Sequence, residues 1–134
     1  MQQALAKANE IYFNGIHYDE DSLKSFSPSM ENQPGIVLDF AHNLDEELMR
    51  IDLGITLNDN VISEVFFHYK IENLKRFYQI NEEKIVKFNS AFISQLSGIS
   101  YATLRGLVLA LTRNTSNVLL PIIDPRLIVE TFHK

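Results

Sequence analysis

The chain has 134 residues, 46% of them hydrophobic and 22% charged, and a formal net charge of −5. That length fits one domain, the apolar share excludes disorder throughout, and the lack of Cys excludes disulfides, thiolate metal sites and cysteine nucleophiles. The negative balance, with Lys and Arg scattered among acids, argues against nucleic-acid binding. No apolar run approaches the ~20 residues of a membrane span, and the first seven residues lack a leader's apolar core, so a cytoplasmic location without membrane insertion is expected.

In chain order, Ile11–Tyr18 is rich in aromatic and β-branched residues and stops at Asp19-Glu20-Asp21, which predicts a first strand. The polar stretch from Ser22 to Pro34 suits a long crossing loop, tethered by Leu23, Phe26 and Met30. Ile36–Phe40 predicts a second strand and Asn43–Glu46 a turn. Ile51, Leu53, Ile55 and Leu57 alternate with Arg50, Asp52, Gly54 and Thr56, a third strand with one face on a core. Asn58-Asp59-Asn60 predicts a hairpin into a fourth strand through Val65, Phe67, Tyr69 and Ile71.

The period then changes. Ile85, Phe88, Phe92 and Leu96 recur at three- and four-residue steps, which predicts a long helix from about Asn81, with Asn81 as N-cap and a kink at Gly98. Beyond Gly98 the residues Tyr101, Leu104, Leu107, Val108, Leu109 and Leu111 leave almost no polar face, so a second copy of the chain is expected to cover part of the helix. Asn114–Asn117 ends it, Val118–Pro121 is an extended link, and Asp124-Pro125 opens a short C-terminal helix to about Phe132. The expected architecture is α+β: a four-stranded antiparallel sheet with helices on one face, in one domain over residues 1–134.

Ile11-Tyr12-x-x-x-Ile16-x-Tyr18-Asp19 is similar to the opening strand of the SecB protein-export chaperone family. Ser100–Gly106, with its Arg105-Gly106, and Leu119–Pro125, with Leu120-Pro121-x-x-Asp124-Pro125, resemble the helix-and-link region of divergent SecB-like proteins, in the same order of elements. The resemblance implies a cytoplasmic chaperone without cofactor or catalytic step, a dimer or dimer of dimers that holds unfolded polypeptide clients in apolar grooves. It also implies an acidic sheet surface for the export motor SecA. Asp19 matches one of those acids, but Gly15 and Lys70 stand where the other two are expected, which argues against SecA docking. The sequence reaches Lys134 soon after the last predicted helix, so no zinc- or partner-binding tail is expected.

The groove candidates are Phe66, Phe77 and Tyr78, with Phe26 and Met30 in the crossing loop, whereas the parity of Phe67 and Tyr69 assigns them to the core. Tyr101, Leu104, Arg105, Val108 and Leu111 are the candidates for a contact between copies, Arg105 needing an acid or an edge to reach. The His residues at 17, 42, 68 and 133 show no metal-ligand spacing, so no metal is expected; His17 and His68 are read as sheet-surface groups able to change charge near neutral pH. No nucleophile, phosphate-loop or dinucleotide motif occurs, and the paired carboxylates lie at strand ends, so no enzyme is expected. Two binding functions follow: a holdase for non-native polypeptides, in export or dedicated to one client such as an antitoxin, or an adaptor for one folded partner.

Overall fold

The period-two stretches form strands. In a computed structural model that describes residues 5–28 and 34–121, β1 (Ile11–His17), β2 (Pro34–Asn43), β3 (Leu48–Leu57) and β4 (Asn60–Ile71) make one antiparallel sheet in the order β1-β4-β3-β2. The β3–β4 turn is two residues, Asn58 and Asp59, both at positive φ (52° and 64°), the twist a tight hairpin requires. Residues of one parity, Leu38, Met49, Ile51, Leu53, Ile55, Val65, Phe67, Tyr69 and Ile71, are buried in one cluster, as the alternation predicts.

The described start of the crossing segment, through residue 28, holds a helix where a loop was expected. Asp19 caps a short helix α1 (Glu20–Lys24), its carboxylate accepting from the Asp21 amide at 3.1 Å. Leu23 and Phe26 are buried and pin the segment to the core, and the Ser116 hydroxyl donates to the Phe26 carbonyl. Met30 lies outside the described residues, as does the expected C-terminal helix.

The long helix begins later than expected. Tyr78–Ile80 and Val86–Phe88 are instead strands β5 and β6 of a small hairpin, and α2 (Ser90–Thr112) follows. The reason lies in the two asparagines. The Asn81 side-chain oxygen accepts from the amides of Glu83 and Ile85 at 2.9 Å each, closing a turn rather than opening a helix, while the Asn89 side-chain oxygen caps the helix by accepting from the Ala91 and Phe92 amides. The helix continues unbroken through Gly98. Its Phe92, Leu96, Tyr101, Leu104 and Val108 side chains complete the core, and the Tyr69 hydroxyl meets the Ser100 hydroxyl at 2.7 Å within it.

Candidate functional site

Three surfaces of this frame bear on function. The first is the open edge of β2. Its ten residues pair with β3 in unbroken register from Pro34–Leu57 to Asn43–Leu48, and no described strand pairs with its other side. Next to that edge lies an aromatic group: Phe40 and Tyr78 each stand edge-on to Phe88, at centroid distances of 5.8 and 5.6 Å, and the His42 ring lies 5.2 Å from it. Tyr78, a groove candidate, is half-buried at this rim, and the hairpin beyond it exposes Ile80 and Ile85, each by 55%. Phe77, the neighbouring candidate, turns inward instead. It stacks on Phe92 at 4.3 Å and is 1% exposed, so in this chain it is a core residue, and so is Phe26 at 2%.

The second surface is the other edge with the outer side of α2. β1 is broken by a bulge between Phe13 and Gly15. Phe13 stands edge-on to Tyr69 at 5.7 Å yet remains 54% exposed, because it sits at the rim of the sheet. On α2, Ile99, Ala102, Thr103, Gly106 and Ala110 are exposed. Of the candidates for a contact between copies, Tyr101, Leu104 and Val108 are buried within their own chain, and Leu111 is half-buried. Among the described residues Arg105 reaches no acid. It donates to the Leu120 carbonyl at 2.8 Å, and Tyr101 to the Pro121 carbonyl at 2.8 Å, so both fasten the extended link to α2.

The third surface is the outer face of the sheet. A depression of about 610 Å³ brings together two of the sequence candidates, Asp19 and Phe66, with His17, Ser22 and Glu64. Beside it lies a trough of about 500 Å³ over Gly15, His17, Ala41, Arg50 and His68. His17 Nδ1 and His68 Nε2 are 2.8 Å apart, one ring donating to the other. Arg50 makes a two-pronged bond with Asp52 (2.7 and 2.9 Å) and lies 5.2 Å from the centroid of the Phe66 ring. Burial, then the facing His17 and Arg50, lower the pKa of His68 from its ordinary value, with Asp52 opposing. The bond with Asp52 raises that of Arg50. The sequence placed His17 and His68 on the sheet surface. Their pairing across β1 and β4 depends on the bulge at Gly15, for which the only signal was the glycine itself.

Among the described residues no three His, Asp or Glu side chains converge as metal ligands, and no helix is long and apolar enough to cross a membrane. No protein-family model matches the chain, and no curated protein matches it.

Proposed function

We propose that the chain is a cytoplasmic, SecB-like holdase that binds non-native polypeptides and works as an oligomer. The observation that carries this reading is the β2 edge: a ten-residue strand with no strand on its other side among the described residues, beside the Phe40, Tyr78 and Phe88 rings. An unfolded client presents apolar side chains and unpaired backbone groups together, and this surface offers a partner to each without reading a sequence. Each backbone bond contributes only about 0.5–1.5 kcal/mol net and apolar burial about 25 cal/mol per Å². Holding a client therefore takes several such segments, which copies of the surface in an oligomer supply by avidity.

The test is whether the purified chain, its mass fixed by light scattering, prevents aggregation of an unrelated denatured protein at stoichiometric amounts. Suppression by an oligomer is expected; inertness toward several clients would overturn the reading. A second reading, an adaptor for one folded partner, draws on Phe26 and Phe77, whose rings fill the core where an open groove would need them at its wall. Tight capture of one partner with no effect on denatured clients would favour it.

A further inference from the structure

The register of β1 brings two imidazoles face to face. Phe13 stands opposite Tyr69 and Gly15 opposite His68, so Asn14 is the extra residue of the bulge. Without that residue Ile16 would fall opposite Phe66 and His17 opposite buried Val65, on the core side. With it, His17 falls opposite Phe66 and joins His68 on the outer face. Gly15, at φ 147°, gives the bulge a backbone that other residues rarely adopt. The facing nitrogens, Nδ1 of His17 and Nε2 of His68, are 2.8 Å apart. Two metal–imidazole bonds of about 2.0–2.1 Å meeting at a right angle span about 2.8–3.0 Å, whereas the tetrahedral angle needs about 3.3–3.4 Å. The pair therefore has the bite of a tetragonal or octahedral chelate. Its surroundings favour a cation. Asp52 and Asp39 lie in the row of His17 across the sheet, and Asp19 and Glu64 line a depression with His17. Arg50, whose charge opposes a metal, is already held by both oxygens of Asp52 (2.7 and 2.9 Å), and Lys70 turns toward the Glu46 carbonyl at 3.4 Å.

We propose that His17 and His68 form a cross-strand chelate for a divalent transition metal, Cu²⁺ or Ni²⁺ ahead of Zn²⁺, through His17 Nδ1 and His68 Nε2. Imidazole suits these ions, affinity for nitrogen sites rises toward Cu²⁺, and the right-angle bite works against the tetrahedral habit of Zn²⁺. In the free chain one ring donates its proton to the other. On binding, that proton passes through solvent to the far nitrogen of the same ring, Nε2 of His17 or Nδ1 of His68. Both facing lone pairs then meet the ion, and the neutral pair releases no net proton. Among the described residues no third His, Asp or Glu completes a ligand group, so water fills the remaining positions, on the side where His17 is exposed. Mg²⁺ and Ca²⁺, which need several oxygen ligands, are poor occupants. The chelate also ties the bulged edge strand β1 to β4, so metal binding stabilises the fold. The inference goes beyond the holdase reading and uses neither the β2 edge nor the rings beside it, so each can fail alone.

The experiment is calorimetric titration of the untagged full chain with Cu²⁺, Ni²⁺, Zn²⁺ and Mg²⁺ in a non-coordinating buffer at about pH 7.5, where both rings are neutral, together with electron paramagnetic resonance of the Cu²⁺ form. One Cu²⁺ per chain is expected, with hyperfine splitting from two imidazole nitrogens, Ni²⁺ and then Zn²⁺ binding more weakly, and Mg²⁺ not binding. His17→Asn and His68→Asn should each weaken Cu²⁺ binding about tenfold or more, since loss of a ligand costs at least what loss of a ligand's own partner does. His133→Asn should leave it unchanged. Ni²⁺ at about a hundredfold excess over its Kd should raise the thermal midpoint by about 5 °C or more, and His68→Asn should remove that rise while far-UV circular dichroism and metal-free aggregation suppression stay unchanged. Undiminished Cu²⁺ affinity in either folded variant, a resonance pattern from a single nitrogen, Zn²⁺ binding tighter than Cu²⁺, or Mg²⁺ binding as tight as Cu²⁺ would each overturn the proposal.

Discussion

Two side-chain pairs hold elements together in opposite environments, and each makes a prediction. Tyr69 and Ser100 share a buried hydroxyl contact, and Ser100 also donates to the Leu96 carbonyl at 2.8 Å. Tyr69→Phe therefore removes one bond without orphaning its partner. The expected cost is about 1 kcal/mol in denaturant unfolding, whereas Ser100→Ala, which leaves the Tyr69 hydroxyl buried and alone, should cost about 1–3 kcal/mol. His68 predicts a pH dependence. Its folded-state pKa is lowered by burial, His17 and Arg50, so the unfolded chain binds the proton more readily. The stability it contributes is complete above the unfolded value of about 6.5 and is lost as pH falls through that value toward the folded one. Unfolding midpoints measured across this range should fall on acidification, and less so in His68→Asn.

At the scale of elements, the helix start shows how caps decide between competing periodicities. Asn89 accepts from two amides of the first turn of α2, and Asn89→Ala should cost about 1 kcal/mol, read as a lower thermal midpoint. The strands were legible because β3 alternates from Leu48 to Leu53 and β4 from Ser63 to Ile71, with the register shift confined to Ile55–Thr56 near the turn, and because that turn needs two residues at positive φ, which Asn58 and Asp59 adopt. The onset of α2 was not. Ile85 and Phe88 stand three apart by coincidence, within a turn and a strand, and only the choice of which asparagine turns the chain and which caps it separates hairpin from helix. The helix α1 could have been found, since Asp19 before Glu20, Asp21 and Lys24 is a cap with charges placed for the dipole. The candidate site was legible only in part. Composition marks Phe77 and Tyr78 alike, yet one stacks under α2 and the other reaches the rim, a one-residue difference that only the aromatic packing of β6 and α2 determines.

For the whole molecule, the question is what α2 does with the face turned away from its own sheet. An apolar helix with Tyr101, Leu104 and Val108 already buried needs no second chain to satisfy those residues, so any contact between copies falls on Ile99, Ala102, Thr103, Gly106 and Ala110. Most of these are small, which allows another helix to approach closely and makes Gly106 the informative position. A Cβ built there meets nothing within 4 Å of its own chain. In an isolated subunit, Gly106→Ala should therefore stabilise the helix by up to about 1 kcal/mol, the usual gain over Gly in a helix interior. Gly106→Gln should also be tolerated by the subunit, but it would hold two helices apart. If copies assemble through this face, Gly106→Gln combined with Ile99→Glu should reduce the mass found by light scattering to that of one chain, with far-UV circular dichroism unchanged. Aggregation suppression should then weaken, because a client would meet one β2 edge at a time. An oligomer that survives both substitutions would place the contact elsewhere, with the β1 edge and its exposed Phe13 next in order.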